Sequence, residues 1–367
     1  MTISLNKCLS EIIKADGSDL LLASGYPPAV RLYGRLVPLD MPAVESEEID
    51  GILQEALTEL EYERFQNECS LDFAYEEDVE GVGPTRFRCN TYIQSRGLSV
   101  VFRLIPWTPP TIAELNLPEQ IASLTTNRNG LVLITGPAGC GKTSTLAAMC
   151  RYINDNRAVH MITIEDPIEY IHTNNMAMIV QRQVGVHVYD FQRALTAALR
   201  EDPDVIVIGE LRDLETIQLA ITAAETGHLV LGTMPTTSAT HTISRVISAF
   251  PAAGQWQVRT MLADSLNAVI SQQLLPRADG KGLVPAVEMM LNTEATANII
   301  RENKCHQLVG IIEAATNKGM RLMDNELLRL VEEGKVDYQE ALNHGHDKKE
   351  LGSRLDLSRN RDIFKIC

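Results

Sequence analysis

The segment Gly136-Pro137-Ala138-Gly139-Cys140-Gly141-Lys142-Thr143 fits the pattern G-x-x-x-x-G-K-[ST]. A loop of this kind wraps backbone N–H groups around phosphates at a helix N-terminus, where the dipole favours negative charge. Lys142 would reach the β- and γ-phosphates and Thr143 would hold Mg²⁺. A plain glycine turn is the alternative. The frame argues against it, because Leu131-Val132-Leu133-Ile134 reads as a buried strand leading in and Ser144 opens a Leu-, Ala- and Met-rich helix leading out. ATP hydrolysis also needs a carboxylate to orient water and positive charge for the transition state. Glu210 ends the apolar run Asp204-Val205-Ile206-Val207-Ile208-Gly209, with Arg212 just beyond. Such a strand tip is where open α/β sheets bind ligands. A second strand ends in Glu165-Asp166-Pro167-Ile168-Glu169. Three carboxylates at one tip repel one another, so a cation must sit nearby. Mg²⁺–ATP is the candidate; surface acids at a turn before Pro167 are the alternative.

These residues require an alternation of buried strands and helices, the signature of a mostly parallel sheet covered on both faces. Strands are predicted at 130–135, 159–165, 204–209 and 228–232, and a hairpin at 268–275 and 283–290 turned by Asp279-Gly280-Lys281-Gly282. From Thr293 onward the chain reads as a small helical bundle, and after Gly345 as a polar, solvated tail. That tail carries Lys348, Lys349, Arg354, Arg359, Arg361 and Lys365, and a partner-binding arm is its alternative reading. The first hundred residues read as a separate α/β unit. An amphipathic helix precedes strands at 19–23 and 29–39, a helix at 46–66, and strands at 70–75, 85–92 and 98–105. Pro106-Trp107-Thr108-Pro109-Pro110 interrupts the pattern, since prolines cannot donate ladder hydrogen bonds. The expected division is 1–105, a linker 106–115, an ATPase core 116–292, a bundle 293–345 and a tail 346–367.

The chain has 367 residues, 45% hydrophobic, with formal net charge −15. That charge disfavours a nucleic-acid partner bound through a diffuse positive surface. No apolar stretch approaches the ~18 residues of a membrane span, and the N-terminus lacks a signal-peptide core. Seven scattered cysteines without a C-x-x-C pair suit a reducing cytosol and argue against a disulfide framework or zinc knuckle. Cys140 stands at a helix N-terminus, where its thiol could be activated; the simpler reading is a small residue that fits the loop.

The order GPAGCGKT, TIEDPIEY, ALREDPDVIVIGELRDLETIQLAITAAETGHL and GTMPTTSA resembles the PilT/PilU group of secretion-type ATPases, the motors of type IV pilus retraction. The resemblance covers nearly the whole chain, and the C-terminal portion leans toward PilU. It implies a PAS-like N-terminal domain, a RecA-like P-loop ATPase domain and a homo-hexameric ring with ATP sites between domains and subunits. It further implies that Glu165 polarises the attacking water, that Glu210 lies near Mg²⁺, and that Arg88, Arg96 and Arg103 approach the nucleotide. Arg86 shares a strand face with Arg88, so either could be the reaching residue; surface ion pairs are the alternative for each arginine. His228 matches the first of two family histidines and is expected at the nucleotide. The implied setting is the cytoplasmic base of a type IV pilus, at the inner face of the inner membrane and without membrane insertion. The implied partners are an inner-membrane platform protein and a second retraction ATPase. Three departures stand out: Pro235 replaces the second family histidine, Thr296-Ala297 departs from the family's C-terminal motif, and Leu21 stands where relatives carry histidine. They leave open an accessory subunit dependent on a partner motor; a nucleic-acid translocase is disfavoured by the acidic charge.

Overall fold

The computed structural model describes residues 4–15, 17–32, 35–105 and 108–365, with side chains described through residue 359. The linker residues Pro106 and Trp107, Cys367, and the side chains of Arg361 and Lys365 lie outside the described residues. The chain divides into two compact units, Met1–Thr108 with Pro167–Ile171, and Pro109–Asp166 with His172–Cys367. The sequence reading had left Pro167–Ile171 in the ATPase core. The segment belongs with the first unit because Arg86 donates to Ile168 O at 3.1 Å and Arg88 pairs with Glu169 at 2.6 Å.

In the first unit α1 (Leu5–Lys14) precedes β1 (Asp19–Ala23), β2 (Ala29–Leu32) and β3 (Arg35–Pro38). Then come α2 (Ser46–Ala56), α3 (Glu59–Glu68), β4 (Ser70–Val79), β5 (Gly83–Gln94) and β6 (Gly97–Ile105). The strands pair antiparallel in the order β3-β2-β1-β6-β5-β4. Strand alternation sends Leu20, Leu22, Phe87, Val100 and Phe102 into one core with residues of the three helices. The helix expected over 46–66 is two helices. Leu57 is extended (ψ 146°), and Thr58 caps α3 reciprocally with Glu61. Leu60, which the apolar periodicity placed inward, is 79% exposed. The strand expected over 29–39 is likewise a pair, β2 and β3.

The second unit contains α4 (Gln120–Leu124), β7 (Gly130–Thr135), α5 (Lys142–Asn156), β8 (His160–Glu165), β9 (Met178–Gln183), α6 (Phe191–Ala198), β10 (Val205–Ile208), α7 (Leu214–Glu225), β11 (Leu229–Met234), α8 (Ala239–Ser248) and α9 (Gln255–Ser265). The long hairpin β12 (Leu266–Pro276) and β13 (Leu283–Leu291) follows, then α10 (Glu294–Arg301), α11 (Leu308–Ala314), α12 (Met323–Glu332), α13 (Tyr338–His344) and α14 (Lys348–Lys365). The sheet order is β13-β12-β7-β11-β10-β8-β9, parallel except for β13. β7 is buried throughout, and its alternation feeds two cores. Leu131 and Leu133 face one cluster, Val132 and Ile134 the other, so both faces are covered. β9, with the half-polar sequence MIVQRQ, had no counterpart in the sequence reading. The expected polar tail is also different, because α14 buries Leu351 and Leu355 against Leu275, Val284, Met323 and Leu327.

Candidate functional site

The phosphate loop joins β7 to α5, so it leaves the C-terminal edge of the central strand. Gly136 has φ 148°, and a Cβ there would fall on Gln272 O and Cys140 Sγ. Gly141 caps α5 in the left-handed region, at φ 87°. The first turn of α5 carries no acid, which leaves its N-terminal dipole free to favour an anion. Lys142 Nζ donates to the carbonyls of Gly136 at 2.8 Å and Pro137 at 2.9 Å, so its charge lies over the loop it would serve. The Cys140 thiol is buried and its pKa is pushed up by burial, with Lys142 and backbone amides only partly opposing. It therefore stays protonated, which fits the simpler packing reading.

Sequence reasoning missed Gln272. This side chain on β12 is 2% exposed and holds the loop from the neighbouring strand. Its Nε2 donates to Cys140 O at 2.7 Å, and its Oε1 accepts from Thr145 Oγ1 at 2.9 Å. One amide thus fixes both the loop backbone and the first turn of α5. No local motif marks it; only the β7–β12 pairing brings it there.

Glu165 and Glu210 emerge side by side. β8 and β10 run parallel with Ile164 level with Ile208, and Gly209 N donates to Ile164 O at 2.8 Å. A Cβ on Gly209 would come within 3.3 Å of the Glu165 Cα, so glycine allows the close approach. At ~4.8 Å per strand, Glu210 lies about 10 Å and Glu165 about 14 Å across the edge from the phosphate-loop strand. Thr163 Oγ1 donates to Glu165 at 2.6 Å and Gln181 Nε2 at 3.2 Å, which orients this carboxylate. Gln181 is itself held by the His172 N–H at 2.9 Å. Arg212 pairs with Glu210 at 2.6 Å. Glu169, the third of the carboxylates expected at this tip, pairs with Arg88 at 2.6 Å within the first unit. Pro235 follows β11 directly, and Met234 O accepts from Gly136 N at 3.3 Å, so the loop after β11 begins beside the phosphate loop.

His228 requires correction. It precedes β11, and the amide of Gly130 at the start of β7 donates to its carbonyl. It therefore stands at the opposite end of the parallel strands from the phosphate loop. Six residues at ~3.3 Å each separate the two ends by about 20 Å. His228 cannot touch a nucleotide in the same chain's loop; its Nδ1 instead lies 2.9 Å from Ala223 O.

The first unit gathers some of its arginines and separates others. Arg88, Arg103, Asp19 and Arg31 form a cross-strand row on the sheet face away from the helices. Asp19 sits between the cations, 2.8 Å from Arg103 and 3.7 Å from Arg31, which offsets the repulsion of like charges in register. Arg86 is buried against Glu76 and Ile168 O, whereas Arg88 and Arg103 are more exposed and pair with Glu169 and Asp19. Arg96 lies at the β5–β6 turn, stacked over Tyr26. It is about 20 Å along β5 from Arg88, too far to share one set of phosphates. Leu21 lies on the same helix-free face, next to this row.

In the departing C-terminal motif, Thr296 is fully buried and closes the cap of α10, accepting from Thr293 N at 2.6 Å. Arg301 pairs with Asp264 at 2.5 Å. The helix is fully formed despite its divergent sequence.

A glycine loop at the end of an interior parallel strand, with carboxylates at the tips of two further strands on the same sheet edge, defines a RecA-like P-loop ATPase. Residues 81–355 match the type II/IV secretion system protein family. The chain is 42% identical over 339 residues to the type IV pilus retraction ATPase PilT of Pseudomonas aeruginosa, covering 92% of this chain and 97% of that one. It is 36% identical over 360 residues to the type IV pilus ATPase PilU of the same organism, covering 98% and 93%. A crystal structure of the pilus retraction motor PilT with bound ADP superposes with TM-score 0.85 at 39% identity, covering 95% of this chain and 98% of that one. The chain belongs to the type II/IV secretion system protein family and, within it, to the PilT/PilU group of ATPases.

Proposed function

We propose that this protein is the ATP-hydrolysing motor of a type IV pilus, acting in pilus retraction as a homo-hexamer. The phosphate loop, Glu165 and Glu210 on one sheet edge carry the reading, and the likeness to PilT and PilU supports its setting. Backbone amides of 136–144, with Lys142, bind the ATP phosphates. Thr143 and Glu210 offer the hard oxygen donors that suit Mg²⁺, which takes one or two protein oxygens and fills its shell from phosphate and water. An ion held by Thr143 and Glu210 would supply positive charge against the transferring phosphate. Glu165, oriented by Thr163 and Gln181, positions the attacking water and draws its proton. Arg88 and Arg103 bring fixed positive charge to phosphates held by a neighbouring copy. The ring works at the cytoplasmic face of an inner membrane against a platform protein. Among the described residues no helix is long and apolar enough to cross a membrane.

Turnover by the purified chain tests this reading. Glu165→Gln is expected to lower kcat about 10²–10⁴-fold with little change in KM, and Lys142→Ala to abolish nucleotide binding. A wild-type protein without ATPase activity, beside pilus retraction unaffected by Lys142→Ala, would refute it. A second reading, an accessory subunit dependent on a partner motor, rests on Pro235 beside the phosphate loop. Proline has no side-chain donor for a phosphate. A rise in turnover in Pro235→His, with no retraction in a strain lacking the partner motor, would favour that second reading.

A further inference from the structure

Glu288 is a carboxylate, 3% exposed, in the otherwise apolar strand β13, LVPAVEMML. A buried charge without partners costs several kcal/mol, yet here each oxygen is used, and on a different element. Oε1 accepts the N–H of Ala239 at 2.7 Å and Oε2 that of Met323 at 3.1 Å. Ala239 is the first residue of α8 and Met323 the first of α12. Both amides are donors that a helix N-terminus leaves without an intrahelical partner, and negative charge is favoured there. Burial pushes the Glu288 carboxyl up and the two amides pull it back.

The two helices held this way face different parts of the molecule. α8 follows the Pro235–Ser238 loop, which begins beside the phosphate loop. α12 packs through Met323, Leu327 and Leu330 in the cluster that holds Leu351 and Leu355 of α14. Asp324 extends the contact, accepting from His346 N at 2.7 Å and Asp347 N at 2.9 Å at the start of α14. Glu288 also stands opposite Ser271 in the β12–β13 register. Ser271 Oγ lies 2.7 Å from Thr135 Oγ1, on the last residue before the phosphate loop. A buried polar row thus crosses three strands from the end of β7 to the start of α12.

We propose that Glu288 is a positioning residue that joins the loop after β11 to the C-terminal helical bundle, so that nucleotide binding at the phosphate loop is passed to α12. The inference rests on the nucleotide-binding reading of that loop. An apolar residue of similar volume would leave both helix-start amides buried without an acceptor, so one side chain has to serve the two helices at once. Two charge-assisted hydrogen bonds from one side chain do what packing cannot: displacing either helix start strains the bond to the other.

Amide hydrogen exchange on the full chain, with and without Mg²⁺–ADP, tests the link. In the wild type, ADP is expected to slow exchange across Gly139–Thr143 and to change exchange across 323–327 by about threefold or more. Glu288→Gln keeps the shape but offers one acceptor oxygen and turns an N–H toward an N–H; it should keep the phosphate-loop response and lose that of α12. Ala239→Pro removes one donor at a first helical position that suits proline, after Ser238 at φ −150° and ψ 160°. It should give the same loss even if Glu288→Gln fails to fold. A wild type whose α12 amides ignore ADP while the phosphate loop responds overturns the proposal, as does either variant that keeps the α12 response. No response at the phosphate loop itself overturns the nucleotide reading and this inference with it.

Discussion

Gln272 shows how a single amide can set the shape of a phosphate loop. The loop backbone has to stay open for an anion, and its carbonyls must therefore turn away and find donors elsewhere. Cys140 O finds Gln272 Nε2, while Thr145 is held by the same side chain's oxygen. Gln272→Leu leaves both groups buried without a partner, which costs about 1–3 kcal/mol for each such group. Part of that loss falls on the loop's anion-binding form. The expected outcome is a KM for ATP raised about tenfold, with kcat reduced less. Gln272→Glu keeps the acceptor for Thr145 but turns an oxygen toward the Cys140 carbonyl and buries negative charge beside a phosphate site, so its KM should rise at least as far as that of Gln272→Leu. Steady-state kinetics on the three proteins decide it, and an unchanged KM in Gln272→Leu would show that the loop holds its shape unaided.

At the level of elements, α14 shows what pattern reading cannot recover. The helix presents two deeply buried apolar residues, Leu351 and Leu355, while Leu357 is 62% exposed. A stripe of two residues four apart, among charged neighbours, gives too little periodicity to distinguish a helix from a solvated tail. Its packing is nonetheless that of a core element, since a Cβ on Gly345 would come within 2.5 Å of Leu351 Cδ2. Leu351→Ala should therefore cost about 2–4 kcal/mol of stability in chemical denaturation. Leu357→Ala should change it by no more than about 0.5 kcal/mol; equal effects would place Leu351 outside the core. The interior parallel strands were legible because both faces of each are buried, and apolar runs such as LVLI and VIVI show that directly, whereas the half-exposed, half-polar β9 gave no such run. The break between α2 and α3 was hidden because the apolar period runs on through Leu57 and Leu60, while Thr58 and Glu61 decide the cap. The strand-tip positions of Glu165 and Glu210 were legible because each follows an apolar run, and the place of Lys142 at the start of α5 because the glycine loop links such a run to a helix. His228 was assigned through the resemblance, which does not say at which end of β11 the residue stands relative to the same chain's phosphate loop. Gln272 and Glu288 were invisible because their partners include Cys140 and Ala239, which only the sheet order brings near.

For the molecule as a whole, with its net charge of −15, one source of acid sensitivity is the buried imidazole of His172. Between pH 7 and pH 5 most carboxylates stay ionised, so the groups that take up protons are imidazoles. His172 stands apart, because burial lowers its pKa from 6.5 to about 4. The unfolded chain binds this proton from about pH 6.5 downward, whereas the folded chain resists until about pH 4. Above pH 6.5 the imidazole is neutral in both states and contributes no pH dependence. As pH falls through that window the unfolded state is progressively favoured, and below about 4 the effect levels off. At 1.36 kcal/mol per unit, the loss reaches at most about 3 kcal/mol. His172→Gln cannot take up the proton. Its stability measured by denaturant unfolding, whatever its value at pH 7.5, should therefore fall less steeply toward pH 4.5 than that of the wild type, the two profiles converging or crossing by about 2–3 kcal/mol. Parallel profiles for the two proteins would show that His172 titrates alike in the folded and unfolded chains, and that acid destabilisation arises elsewhere.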